Sequence, residues 1–381
     1  MKHNKEHNQK NQYNLSEWAG AFGDLGTFIP FVFGFIIVTG IDPKGVFFSF
    51  GIALLIAGYY FRTPMPVQPM KLVTGLAIAS PAAISLGMVW GAGLFMGLIW
   101  LLLSITDMLK YITKWISKPI VCGIAVALGV SFILKSLELM SSQWFIAILA
   151  IIIAMVLFKK PIMPAMFALL IYGVIIMTLQ NPGMLALFHS KEVLITLPTI
   201  NLNLFSWNEL AMGIVLLAIP QIPLTIGNAI VAVTRENNER YPTRRVTVNQ
   251  ITKSQGLINV MSPFLGGVPM CHGVGGMVGH ARFGARTGGA VIIFGALLIL
   301  MATLLSQYVE LIMLFPLEVI GAILFFAGWE LVTTLRRLER AKADIAVFAV
   351  TVLLALWNMA IAIIVAVLVE LILKKNITKK Q

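Results

Sequence analysis

Charge is scarce in this chain: only 12% of its 381 residues are Asp, Glu, Lys or Arg, while 59% are hydrophobic and the mean hydropathy is +0.90. A soluble domain of this length cannot bury so much apolar surface, which excludes the cytosolic classes. Cysteine is scarcer still. Cys122 and Cys271 both lie in apolar surroundings, which argues against a disulfide framework or a Cys-pair metal site and for two buried thiols. Also missing are an intramembrane Ser-His-Asp grouping, a His-Glu-x-x-His helix and a Gly-rich nucleotide loop. Neither an enzyme nor an ATP-driven pump is indicated, and no cofactor or metal is expected. The apolar runs do not alternate with period two, which disfavours an outer-membrane barrel. Residues 1–16 lack the apolar core and small-residue cleavage site of a signal peptide. Their Lys, Asn and Gln read as a disordered cytoplasmic tail, with His3 and His7 solvated rather than metal-bound.

What is present is a series of apolar stretches of about 17 to 22 residues, the length an α-helix needs to cross roughly 30 Å of hydrocarbon. The net charge of +12 comes from short basic clusters between them. These are Lys110, Lys114 and Lys118; Lys159 and Lys160; Arg235, Arg240, Arg244, Arg245 and Lys253; Arg282 and Arg286; Arg336, Arg337, Arg340 and Lys342; and Lys374, Lys375, Lys379 and Lys380. Clusters so spaced orient a membrane protein with its basic loops in the cytoplasm, and no nucleic-acid partner follows from them. Threading the chain between them and the cluster-poor loops, such as residues 180–208, takes about fourteen passes and leaves both termini cytoplasmic. The expectation is an all-α polytopic protein of the cell inner (plasma) membrane.

Two of those passes are short and broken at matching places in the two halves. In the first half the break is Arg62-Thr-Pro-Met-Pro-Val-Gln-Pro-Met-Lys71; in the second it is Gly266-Gly-Val-Pro-Met-Cys-His-Gly-Val-Gly-Gly276. Pro64, Pro66 and Pro69 cannot sit inside a regular helix. Extended backbone at membrane depth is tolerated only where protein or a water-filled cavity satisfies it, so each break should open a half-helix beside a cavity. The helix that opens each half carries small and polar residues, Gly23-Asp-Leu-Gly-Thr-Phe-Ile-Pro30 and Ile219-Pro-Gln-Ile-Pro-Leu-Thr-Ile-Gly-Asn228. One half begins inside and the other outside, so the pattern is a 7+7 inverted repeat with two short broken helices, the plan of a secondary transporter.

Four blocks then carry a resemblance. Phe22-Gly-Asp-Leu-Gly-Thr-Phe-Ile-Pro30, Pro64-Met-Pro-Val-Gln-Pro-Met-Lys71, Pro220-Gln-Ile-Pro-Leu-Thr225 with Asn228, and Pro269-Met-Cys-His-Gly-Val-Gly-Gly276 followed by Arg282-Phe-Gly-Ala-Arg286 closely resemble the molybdate transporter family of the sulfate permease superfamily. The resemblance implies the fold shared with uracil permease. A transport core would comprise residues 17–110 and 208–308 and a gate residues 111–207 and 309–374, with cytoplasmic tails at 1–16 and 375–381. It implies a transporter that imports a tetrahedral oxyanion by alternating access, molybdate first, with sulfate or tungstate as alternatives and a nucleobase permease or anion channel behind them. The helix bearing Gln221, Thr225 and Asn228 lacks the carboxylate that many sulfate permeases place there, which moves ion coupling to Asp24. The regulatory domain usual after the last segment of those relatives is expected to be absent, as in the molybdate branch.

A dianion site of this kind needs donors more than formal charge, and two half-helix N-termini supply unpaired N–H groups and roughly half a positive charge each. Met70 and Lys71 should begin one half-helix, and His272, Gly273 and Val274 the other. Thr27, Gln68, Gln221, Thr225 and Asn228 would add neutral side-chain donors. The competing reading is packing: Thr27, Thr225 and Asn228 as interhelical glue, His272 as a satisfied structural histidine, Asp24 as a helix cap and Lys71 as an interface marker. Asp24 and His272 are the groups whose protonation could drive coupling. Expected partners are the oxyanion, a co-transported proton or sodium ion, the lipid bilayer and, as an open possibility, a second copy of the chain.

Overall fold

Backbone groups facing hydrocarbon have no water to pair with and must pair within their own segment; the chain is accordingly mostly helical. The computed structural model describes residues 10–106, 117–157, 165–183, 205–303, 310–338 and 341–378, with a few isolated positions between. Lys110, Lys114, Lys159, Lys160, Arg340, Lys379, Lys380, His3, His7 and most of the 180–208 loop lie outside the described residues. The first half contains α1 (Leu15–Ala21), α2 (Leu25–Thr39), α3 (Pro43–Phe61), α4 (Lys71–Ala79), α5 (Leu86–Ile105), α6 (Lys118–Met140), α7 (Trp144–Leu157) and α8 (Ala165–Gln180). The second half contains α9, a continuous helical run over Trp207–Arg240, then α10 (Val248–Phe264), α11 (Val274–Arg282), α12 (Gly289–Thr303), α13 (Leu317–Val332), α14 (Lys342–Ala355) and α15 (Met359–Thr378).

Among the described residues, α3, α5, α6, α9 and the Leu317–Arg336 run are long and apolar enough to cross a membrane. The bent pair Leu15–Asp24 and Thr27–Thr39 makes a sixth if it counts as one span, and α7, α12 and parts of α8 and α15 are shorter apolar helices. Phe145, Ile105 and Leu353 are 81%, 79% and 70% exposed, the outward apolar surface expected where lipid replaces water.

Local signals explain where these helices begin. Pro43 opens α3 behind Asp42, whose carboxylate accepts the Lys44 N–H at 2.9 Å. Reciprocal capping boxes start α9 (Ser206 with Glu209) and α10 (Thr247 with Gln250). Packing then joins the halves: α3 lies on α12, α5 on α10 and α6 on α13. Small residues set the closest crossings. A Cβ on Gly51 would stand 2.8 Å from the Gly295 carbonyl oxygen, and one on Gly129 2.6 Å from that of Gly328, so larger residues would push these helices apart.

The expected N-terminal tail needs correction over its last residues. Positions 10–16 are docked rather than loose: Asn11 bonds the Gly58 carbonyl (3.2 Å) and the Gly288 N–H (3.1 Å), and the Gln12 N–H reaches Thr287 Oγ1 (3.1 Å). The reason lies one residue further on. Glu17, buried at the start of α1, accepts the N–H groups of Arg286 and Thr287 (both 2.9 Å) and Ala290 (3.0 Å). The Ala290 N–H is one of the donors that the first turn of α12 leaves unpaired, and the other two belong to the turn leading into it; satisfying them holds the preceding segment in place.

Candidate functional site

The two proline- and glycine-rich breaks meet each other. Gln68–Pro69 (β1) pairs antiparallel with Met270–Cys271 (β2), in the register Gln68 to Cys271 and Pro69 to Met270. The Met70 N–H adds a bond to the Pro269 carbonyl at 2.8 Å. Proline lacks a ladder donor, so β1 can pair along one side only. The far edge of β2 is closed by side chains of α10. Asn259 exchanges bonds with Met270, donating to its carbonyl at 2.7 Å and accepting its N–H at 2.9 Å. Gln255 also donates to that carbonyl and accepts the His272 N–H at 3.1 Å. Two amides one helical turn apart thereby act as a third strand. These bonds pair both polar groups of the Met270 backbone and the His272 N–H where water is not at hand to do so.

From this ribbon the half-helices α4 and α11 start, with Met70 and Gly273 as their N-caps, and neither cap supplies a side-chain bond. Their first N–H groups are thus open to other partners. Asp24, at the end of the 3-10 turn joining α1 to α2, is buried beside them and makes no capping bond of its own. Its Oδ1 instead accepts from Gln68 Nε2 at 2.5 Å. The pair lies directly against the first turn of α11: a Cβ on Gly276 would fall 2.6 Å from Asp24 Oδ2, and one on Gly273 would overlap Gln68 Oε1. Only glycine leaves room at these two positions.

The structure brings most of the expected residues to this place and assigns several of them protein partners. Gln221, in α9, accepts the Leu72 N–H of α4 at 3.1 Å and donates to Thr225 Oγ1 at 3.1 Å. It spends one half-helix donor and ties α9 to α4. Thr225 is buried; Thr27, Lys71 and Asn228 are half-buried. Among the described residues the Lys71 ammonium has no ion-pair partner within 4 Å and the Asn228 amide has no hydrogen-bond partner. His272 departs from the ligand reading. Its Nδ1 bonds the Pro66 carbonyl at 2.8 Å, its Nε2 bonds Ser254 Oγ at 2.9 Å, and its ring meets Phe61 edge-on. Both nitrogens are occupied by protein, which is the structural role.

Several residues around the site were not anticipated. Gln255 and Asn259 could have been found as a polar i, i+4 pair in an apolar helix. Glu330 could not: it lies far along the chain in α13, and its carboxylate comes within 3.8 Å of the Cβ position of Gly275 in α11. The π-helical stretches Ile214–Ala218 and Thr225–Ala232 flank Pro220 and Pro223, whose missing N–H groups break the regular ladder. His280 is buried, with Nδ1 on the Gly20 carbonyl at 2.7 Å and Nε2 without a partner among the described residues.

The profile of a family described as "Molybdate transporter of MFS superfamily" matches residues 16–132 and 213–331, two stretches that each hold one broken segment and the helix opening its half. The chain belongs to the molybdate transporter family. Among curated relatives of this family member, Molybdate transporter 1 of Arabidopsis thaliana is 28% identical over 379 residues, covering 87% of this chain and 81% of the relative. Molybdate transporter 2 of the same plant is 26% identical, covering 83% and 78%. Solved structures agree on the fold. The transmembrane domain of the cyanobacterial bicarbonate transporter BicA superposes with a TM-score of 0.66 at 18% identity, over 94% of this chain and 96% of that one. The murine anion transporter Slc26a9, captured inward-facing, gives 0.72 at 14% identity, over 96% and 69%.

Proposed function

We propose that this multi-pass membrane protein imports a tetrahedral oxyanion, molybdate, by alternating access. The observation that carries this reading is that two half-helix N-termini without side-chain caps, α4 and α11, start from one paired crossing of the broken segments. Such a place offers N–H donors and positive dipole ends to an anion and little to a neutral solute. Gly273 and Gly276 are the positions where a ligand could approach the backbone, and in this reading half-buried Lys71 would add a charge and half-buried Asn228 and Thr27 side-chain donors. The names of the curated relatives favour molybdate among tetrahedral dianions.

Helix pairing supports the seven-plus-seven plan. If the half opened by α1 and α2 maps onto that opened by α9, then α3 corresponds to α10 and α5 to α12. The observed contacts α3 on α12 and α5 on α10 then exchange with each other, while β1 with β2 and α6 with α13 map onto themselves. In this reading α1–α5 and α9–α12 form the transport core and the remaining helices the gate, with both termini cytoplasmic.

Uptake of labelled molybdate into proteoliposomes, challenged by excess tungstate or sulfate, tests the substrate. Tungstate should compete at comparable concentration and sulfate weakly. Equal or stronger competition by sulfate would reassign the protein to that anion, and no saturable uptake of any of the three would remove the oxyanion reading.

A further inference from the structure

Where α3 ends and α10 begins, an open cleft of about 260 Å³ is lined by Arg62, Arg244 and Arg245 together with Tyr60, Phe61, Val246 and Gln250, and among the described residues no acidic side chain lines it. Its construction is specific. Arg62 follows the last residue of α3 with φ 55°, the one non-glycine residue in the left-handed region among the described residues. The carbonyl so exposed accepts from the Arg244 guanidinium. Burial and the charge of Arg62 both disfavour the charged form of Arg244, with Glu17 opposing them from nearby. Arg62 and Arg245 are exposed. Gln250 belongs to the capped first turn of α10 and Val246 directly precedes its cap, so the positive dipole end of that helix adds to the same field.

Basic residues at the face expected to be cytoplasmic also serve orientation, but orientation needs only that they be on one side. Three guanidinium groups converging on one concavity, with like charges crowded and no carboxylate within it, is the arrangement that recognises oxyanions through paired N–H donors. We propose that this cleft is a second anion site, separate from the half-helix site, that binds a phosphate-type oxyanion through Arg62 and Arg245 with Arg244 between them. Two sources share that chemistry: the headgroup of an anionic lipid, favoured by exposed Tyr59 and Tyr60 at the same end of α3, and a free inorganic anion.

Occupancy would act on the transport site through short links. Phe61 of the cleft meets the His272 ring at 5.7 Å between centroids, and Arg62 begins the stretch that carries Pro66, the partner of His272, into β1. An anion held by Arg62 and Arg245 would join that stretch to the start of α10, whose Gln255 and Asn259 hold β2.

The test uses the full-length protein purified in a neutral detergent, with dioctanoyl phosphatidic acid, dioctanoyl phosphatidylcholine and inorganic phosphate as separate probes. Affinities are measured for the parent, Arg245→Gln, Arg245→Lys and the double variant Arg62→Gly with Arg245→Gln. Glycine is chosen at position 62 because the left-handed backbone suits it. Saturable binding of phosphatidic acid or of phosphate, weakened about tenfold or more in the double variant and largely kept in Arg245→Lys, is the expected result. The probe that binds identifies the source. Affinities that do not change with the arginines for either probe, or phosphatidylcholine binding as tightly as phosphatidic acid with no phosphate binding, would overturn the proposal. Arg245→Gln alone, at an exposed position, decides the matter should the double variant not fold.

Discussion

At the scale of single residues, the site is defined as much by absent side chains as by present ones. Gly276 faces both members of the Asp24–Gln68 pair, so Gly276→Ala inserts a methyl group where a carboxylate oxygen stands 2.6 Å away. Overpacking of this kind costs about 1–3 kcal/mol and displaces the pair itself. Molybdate uptake should fall steeply and thermal unfolding in detergent should move down. Gly183→Ala, at a glycine with nothing within 4 Å of its Cβ among the described residues and no positive φ, should match the parent in both measurements. Loss of uptake in the two variants alike would show that the assay reads expression rather than the site. Gln68→Ala removes the 2.5 Å donor to Asp24 and leaves that buried carboxylate without its partner. A hydrogen bond to a charged group is worth roughly 1.5–3 kcal/mol, or about one to two decades in affinity. In the reading that Gln68 also donates to the bound dianion, the concentration dependence of uptake should shift by that order, and a parental curve would return Gln68 to a packing role.

At the scale of elements, a crossing of two broken segments survives because α10 completes it. Asn259→Leu would strip the Met270 N–H of its side-chain partner and leave the Met270 carbonyl to Gln255 alone, and a buried unsatisfied group costs about 1–3 kcal/mol. The variant should unfold at markedly lower temperature or fail to insert, whereas Asn259→Asp should retain the accepted Met270 N–H and lose less. Equal stability of Asn259→Leu and the parent would mean that the crossing does not depend on these side-chain bonds. This element also marks how far the sequence can be read. Pro64, Pro66 and Pro69 announced a break because proline rules are local, and the start of α4 at Lys71 followed from them. That β1 would pair with β2, about two hundred residues away, is a non-local fact that no window of sequence contains. The π-helical stretches of α9 and the docking of Glu17 on α12 were hidden for the same reason. For His272 the position at a half-helix start is legible in the sequence, while the partners of its ring, Pro66 and Ser254, are not.

At the scale of the whole molecule, the question is how a charged substrate is accumulated. Importing a dianion against a negative-inside potential costs about 4.6 kcal/mol per 100 mV, twice the single-charge figure, so net accumulation needs at least two compensating cations. Protons are the simplest, and their carrier must be a group that meets both the substrate region and the moving parts. Asp24 meets that description: it is buried at the turn between α1 and α2, bonded to the residue that opens β1, and seated against α11. Its protonation would change the charge beside both half-helices at once. Glu330, reaching toward Gly275 from α13, is a second acid beside the same half-helix. His272 is the weaker candidate, because both of its ring nitrogens are already engaged by protein groups, the Pro66 carbonyl and the Ser254 hydroxyl. Proteoliposomes with an acidic exterior and a labelled-molybdate assay separate these roles. Asp24→Asn should abolish accumulation driven by the proton gradient yet leave exchange of molybdate down its own gradient partly intact, since the N–H donors of α4 and α11 remain. Glu330→Gln should weaken the pH dependence without removing it, and His272→Gln should lose stability before coupling. If Asp24→Asn and Glu330→Gln both accumulate molybdate with the parental pH dependence, protons are not carried by these acids, and replacing external sodium with potassium becomes the deciding measurement.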